Sequence, residues 1–316
     1  MSRTTSRSGR FATLLASGVL AAAALSAASP QASAGTLTPL VPVGGSLVSS
    51  TGATLTAAQA VQLVRADQLA GTPASAGRGT TTAQPADTTS IIGTDNRFRV
   101  TPTTTYPYRA NILIERSSGA LHCTGFFVSR DTLLTAGHCV HTGGSAGTWY
   151  SGLRFKPASD GGTSPYGTCT SRGTWAFTNW VNSADSNYDI GIVKLNCAAG
   201  DSTGWYGTWW QSASLDGTFT RVSGYPGDKP KTQWMSYGSV AASQADRIFY
   251  ANDTVGGMSG SPVWQFRSST ASYCANGPCV MAVHTNGLGS LSSTHNSGAR
   301  LTQSKLNSIV AIINTP

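Results

Sequence analysis

The 316-residue chain contains a single glutamate, Glu115, and only 11% of its residues are charged, against about 25% in an ordinary globular protein. The basic residues are scattered, with no basic run or basic–aromatic interleaving to mark a nucleic-acid surface. A net charge of +8 then reads as a solvated surface that favours anionic partners. The apolar stretch "FATLLASGVLAAAAL" is too rich in alanine and too short for a membrane span, which needs about 18 apolar residues. No later segment could cross a bilayer, and no internal repeat is present.

What is there begins with an address. "MSRTTSRSGR" supplies Arg3, Arg7 and Arg10, the apolar stretch follows, and "ASA" ends at Ala34. That order predicts a secretory signal peptide, 1–34, and an extracellular protein. Secretion decides how the cysteines are read. Cys123, Cys139, Cys169, Cys197, Cys274 and Cys279 are an even number in an oxidising compartment, which predicts three disulfides. A zinc reading would use Cys123 with "HCVH" (His138, Cys139 and His141). It lacks a second paired motif, and thiolate ligands do not suit an oxidising compartment. No metal and no cofactor are expected; no clear run of calcium ligands is present.

Residues 35–89 are rich in Thr, Ala, Ser, Pro and Gly. One helix is predicted in "TLTAAQAVQLVRADQLAG", opened by a capping box of Thr56 and Gln59 and ended by Gly71. The stretch after it reads as a flexible linker. Too little apolar content to fold alone makes 35–89 a propeptide, with a solvated spacer as the alternative. From residue 90 the texture changes. "RANILIE", "TGFFVS", "DTLLTA", "DIGIVKL", "TFTRVSG", "QWMSYGSV", "SGSPVWQF" and "CVMAVHT" alternate with turn residues and predict strands. Helical spacing is clear only at Leu306, Ile309, Val310 and Ile313. Residues 90–316 are therefore predicted to be an all-β barrel or sandwich domain with a C-terminal α-helix.

Three motifs carry chemistry. In "LLTAGHC", His138 follows an apolar strand and adjoins Cys139; a Cys123–Cys139 bridge would pin its turn, and a general base needs fixed placement. In "NYDIGIVKL", Asp189 opens an apolar strand, where a carboxylate needs a partner. An Asx-type turn cap is one reading; the other is a residue that orients a histidine. In "DTVGGMSGSPVW", Ser261 precedes Pro262, which favours extended geometry and makes it the start of a strand. Ser259 lies among glycines that permit a tight turn presenting a hydroxyl. It is the candidate nucleophile, and the N–H groups of Gly257 and Ser259 would hold an oxyanion. His138, Asp189 and Ser259 follow the chain order of chymotrypsin-like peptidases.

From about Ser90 to Ile313 the chain resembles the secreted glutamyl endopeptidases of Gram-positive bacteria, most closely the Bacillus type. The resemblance is carried by "IIGTDNRFRV", "YPYRA", "TAGHCV", "NYDIG", "SGYPGDK", "TQW", "DTVGGMSGSPV", "GPC" and "AVHTNG". It implies two six-stranded β-barrels with the active site between them, and a triad of His138, Asp189 and Ser259. "YGTCTS" and "LNCAAG" depart from the family pattern, so Cys169–Cys197 would be the third bridge after Cys123–Cys139 and Cys274–Cys279.

Two residues predict opposite specificities. Asp253 lies six before Ser259, where trypsin-like enzymes bind Arg or Lys. His284, in "AVHTNG", could donate a hydrogen bond to a P1 carboxylate, more strongly when protonated, and Thr254 could add a hydroxyl. The glutamyl family has the same two features, which implies that Asp253 is turned away and bound to backbone. A single glutamate would also protect a glutamate-cleaving enzyme from itself. Met258 occupies the position whose Asp receives the new N-terminus in trypsin-like zymogens, so activation by cleavage near 89–91 should take another route. The expectation is a secreted, monomeric serine endopeptidase that cleaves proteins or peptides after glutamate and binds neither nucleic acid nor membrane. The alternatives are a trypsin-like endopeptidase and a non-catalytic binding protein on the same fold.

Overall fold

The computed structural model describes residues 45–62, 91–229, 231–268, 274 and 276–316. The expected signal peptide, Gly71 and the linker fall outside them. Short β-branched and aromatic runs broken by glycine form two antiparallel assemblies. The first uses β1 (Leu47–Ser49), β2 (Thr54–Leu55), β4 (Asn111–Glu115), β5 (Leu121–Phe127), β6 (Thr132–Thr135), β7 (Arg154–Pro157), β8 (Ser171–Phe177) and β9 (Gly191–Leu195), in the order β2-β1-β8-β9-β6-β5-β4-β7. The six strands from β8 to β7 make the first barrel, and the Phe155–Cys169 bridge draws its two ends together.

The second assembly contains β10 (Gly207–Thr208), β11 (Phe219–Gly224), β12 (Trp234–Ser243), β13 (Arg247–Tyr250), β14 (Pro262–Arg267), β15 (Gly277–Asn286) and β16 (Asn296–Arg300). Its order is β10-β15-β14-β11-β12-β13-β16, and β15–β16 pairing closes six of these strands into a barrel. The remaining strand, β3 (Phe98–Arg99), pairs with β12. Each of the eight motifs read as strands contributes one.

The barrels press together through β4, which is buried along its whole length rather than on alternate residues. Asn111 on β4 donates to Ser223 Oγ at 2.9 Å and Gln233 Oε1 at 3.1 Å, both from the second barrel. A buried amide needs such partners. The C-terminal helix runs Gln303–Ile313 with Thr302 as its cap. Leu306, Ile309 and Val310 are buried as their spacing requires, but Ile312 completes that face and Ile313 is half-exposed. No helix among the described residues is long and apolar enough to cross a membrane. All three expected disulfides form: Cys123–Cys139, Cys169–Cys197 and Cys274–Cys279.

Residues 45–62 are the part of the chain that sequence reading underrated. The capping box forms: Gln59 Oε1 accepts from the Thr56 N–H at 2.8 Å, and Thr56 Oγ1 from the Gln59 N–H at 3.2 Å. Ahead of it, β1 pairs with β8, and Leu47 is fully buried in the first barrel's core. The segment has too little apolar surface for a core of its own. It borrows the barrel's core, where one Leu contributes about 2 kcal/mol.

Candidate active site

His138 sits in a 3-10 turn, Gly137–Cys139, at the end of β6. Two constraints shape that turn. Cys139 is bonded to Cys123 on β5. Gly137 must lack a side chain, because a Cβ there would stand 2.9 Å from both Asp189 Oδ1 and Trp180 Cδ1. Asp189 follows the 3-10 turn Ser186–Tyr188, capped by Asp185, and leads into β9. Its carboxylate takes the His138 backbone N–H on Oδ1 and the ring Nδ1–H on Oδ2, both at 2.8 Å. This leaves the Nε2 lone pair free to act as a base. Burial opposes charge on His138, but Asp189 outweighs it, by proximity and by hydrogen bond, and holds the imidazole above its ordinary value. One third of the His138 side chain, 33%, remains exposed.

Ser259 approaches from the second barrel. Its carbonyl accepts from the Thr124 N–H on β5 at 2.9 Å and lies 3.7 Å from Cys139 Sγ. The bond that pins His138 therefore also locates the backbone of Ser259. Gly260 (φ +87°) leaves no room for a Cβ against Thr124 O and Thr135 Oγ1. Gly257 (φ +98°) would bring a Cβ within 2.7 Å of Tyr225 O. Left-handed backbone and close approach together demand glycine at both places. Among the described residues, neither the Gly257 nor the Ser259 N–H donates to a protein acceptor, as a site awaiting an oxyanion requires. Ser261 is fully buried and its N–H donates to Met258 O, so it turns inward ahead of β14. Met258 is also fully buried, in the apolar core of the second barrel.

The three remaining expected residues gather beside this turn. Asp253 is 0% exposed; Oδ2 accepts the Asn96 N–H at 3.1 Å, while Oδ1 has no hydrogen-bond partner within normal geometry among the described residues. Burial pushes its carboxyl up to about 6. Thr254 presents a buried hydroxyl with no partner among the described residues. His284 is 3% exposed on β15, with Nδ1 2.7 Å from Tyr250 Oη. Burial, aided by the charge of His138 and opposed by the Ser297 carbonyl, lowers its imidazole to about 3. It is neutral here, unlike the protonated donor considered from sequence. The buried Tyr250 keeps its proton, since burial raises its phenol well above the usual value. The hydroxyl can then donate to Nδ1, leaving Nε2–H as the imidazole's own donor.

Three contributors carry no local sequence signal. Thr124 Oγ1 donates to Gly257 O and accepts from the Tyr225 N–H, each at 2.9 Å, bracketing the glycine turn. Tyr250 Oη holds the His284 ring at Nδ1, 2.7 Å away. Arg247 on β13 is 2% exposed. It donates to Ser186 O, to Asn187 Oδ1 at 3.4 Å, to Thr285 Oγ1 and Asn286 Oδ1 at 3.2 Å, and to Ser297 Oγ at 3.0 Å. It thus ties the turn before Asp189 to the strands that carry and flank His284.

Comparison with known proteins follows the same outline. The trypsin-like peptidase domain family matches residues 123–269. A glutamyl endopeptidase of Bacillus licheniformis is 42% identical over 215 residues, which are 68% of this chain and 66% of that protein. A Bacillus subtilis protein named extracellular metalloprotease is 37% identical over 234 residues, 72% of this chain and 70% of that protein. A solved Glu endopeptidase in complex with MPD superposes with a TM-score of 0.60 at 26% identity, covering 71% of this chain and all of that one. The metal implied by the second name does not fit here. The one group of potential ligands among the described residues is Cys123, His138 and Cys139. Its two sulfurs are joined to each other rather than free as thiolates, and His138 Nδ1 is bound to Asp189.

Proposed function

Because the chain belongs to the trypsin-like serine peptidases, in the branch of the Bacillus glutamyl endopeptidases, we propose that it is a secreted serine endopeptidase that hydrolyses proteins and peptides after glutamate, and more slowly after aspartate. His138 Nε2 removes the Ser259 proton as Oγ attacks the scissile carbonyl. Asp189 orients the ring and stabilises the imidazolium, and the Gly257 and Ser259 N–H groups hold the oxyanion. His138 then protonates the leaving amine. It next takes a proton from the water that cleaves the acyl-enzyme. No cofactor takes part.

The observation that carries the P1 preference is Asp253. In the trypsin-like alternative this carboxylate would bind a substrate cation, yet here it is buried and accepts a backbone N–H. The Thr254 hydroxyl and His284 Nε2–H are donors, suited to an anion. A bound P1 carboxylate would also raise the His284 value, strengthening that hydrogen bond. A peptide panel differing only at P1 (Glu, Asp, Lys, Arg, Phe) tests this. Glutamate should be preferred; preference for Lys or Arg overturns the reading, and no turnover at all favours a non-catalytic binder.

Within the same proposal, residues 1–34 are a signal peptide and 35–89 a propeptide cut near 89–91. The buried Met258 offers no charge for a new N-terminal ammonium, so activation does not use trypsin's ion pair. The enzyme acts as a monomer, independently of membranes and nucleic acid.

A further inference from the structure

We propose that residues 45–62 form a scaffold strand of the first barrel, one that remains bound after the chain is cut near 89–91 and does not inhibit the active site; this rests on reading 35–89 as the propeptide. β1 extends the sheet at the edge of β8, with Leu47 opposite Phe177, Val48 opposite Ala176 and Ser49 opposite Trp175. The Thr178 N–H donates to Ser46 O at 3.0 Å and the Ser50 N–H to Thr174 O at 2.9 Å. Ser308 Oγ, on the C-terminal helix, donates to Gly45 O. Gly45 has φ +118° and would bring a Cβ to 3.2 Å from Ser304 O, so the helix and this glycine meet backbone to backbone.

The attachment is apolar as well as hydrogen-bonded. Leu47 is fully buried in the barrel core, and Leu55 on β2 packs against it. The segment folds its own end: Ser49 Oγ accepts the Ala53 N–H at 2.9 Å, closing the β1–β2 hairpin, and the Thr56–Gln59 box starts the next helix. Losing it would leave a Leu-sized void and an open edge on β8, whose unpaired N–H and C=O groups invite other strands.

Position separates scaffold from inhibitor. Among the described residues, the segment's hydrogen bonds beyond itself run to β8, the turn after it and the C-terminal helix. None reaches His138, Asp189, Ser259, Thr254 or His284, and the His138 side chain is 33% exposed with the segment docked. Residues 63–90 separate the docked part from Ile91, so a cut near 89–91 falls outside the docked part.

The test uses the full chain, secreted and allowed to mature. Denaturing mass spectrometry locates the cut, and absence of any cut near 89–91 overturns the propeptide reading itself. With the cut established, native mass spectrometry should find a one-to-one complex of the mature domain with a fragment containing 45–62. Leu47→Asp should lower the yield of active enzyme at least tenfold, with Leu47→Ile restoring it and turnover per titrated active site unchanged. Cut enzyme with the mass of 90–316 alone overturns the proposal, as does an unchanged yield from Leu47→Asp. Competitive inhibition by synthetic peptide 45–62 overturns it too, by making the segment an inhibitor.

Discussion

Both carboxylate oxygens of Asp189 bind His138, one at the backbone N–H and one at Nδ1–H, each at 2.8 Å. One side chain thereby fixes the position of the turn and the tautomer of the ring. Asp189→Asn can accept only one of these bonds and turns its NH₂ toward the other donor. A fall in kcat on the order of 10⁴ is expected, with far-UV circular dichroism unchanged. A loss below tenfold would remove Asp189 from the mechanism.

The same pair sets the pH dependence. In the proposed mechanism catalysis needs neutral His138, whose value Asp189 holds above the ordinary 6.5 once burial is overcome. The acid limb of kcat/KM should therefore rise through a value above about 6.5. Stability has the opposite sign. The protonated, paired imidazole stabilises the fold below the unfolded value, and this is lost as pH rises through the folded one. A limb centred below 6 would contradict the pairing.

His284 and Tyr250 should matter for glutamate substrates in graded fashion. Losing the donor facing a desolvated carboxylate costs about 1–3 kcal/mol, so His284→Ala should lower kcat/KM for P1 Glu by on the order of 10²-fold. Tyr250→Phe frees the tautomer but keeps the ring, and about tenfold is expected. The P1 Glu to P1 Phe ratio is the readout, since a purely structural defect would lower both.

Arg247 is predicted to be a positioning residue acting through the turn before Asp189 and through β15 and β16. Arg247→Met should cut kcat/KM by roughly 10²-fold through misplacement. It should also move the acid limb, because Arg247 holds the turn that sets Asp189 against His138 Nδ1. Arg247→Lys should restore part of the rate. An unmoved pH profile would reduce Arg247 to packing.

Glu115 is 0% exposed, with Lys156 at 2.8 Å and Lys231 at 3.0 Å from its carboxylate. Burial opposes its charge, but the two lysines prevail and hold it below its ordinary 4.5. Its contribution is present above that value and disappears as pH falls through the lowered one. Glu115→Gln should cost about 2 kcal/mol at pH 7, less than a fully buried pair because Lys231 reaches water. Urea melts at pH 7 and pH 3 should see the difference shrink in acid. The one glutamate is also locked within β4, so the native enzyme should show no self-cut after it.

Much of this protein is written locally. Strand runs, the Thr56–Gln59 cap, the C-terminal helix and the inward turn of Ser261 before Pro262 follow from backbone preferences a few residues wide. The types and order of His138, Asp189 and Ser259 are legible for the same reason. What escaped depends on neighbours far away in the chain. The resemblance implied that Asp253 binds backbone, but the raised value of its carboxyl comes only from the surrounding protein, which excludes water from it. Arg247 acquires its role because folding gathers Ser186, Thr285 and Ser297 around one guanidinium, and Leu47 becomes core only when β8 offers an edge. Residue identity determined which chemistry was available; desolvation and long-range pairing, which exist only in the folded chain, decided which groups carry charge and toward what they point.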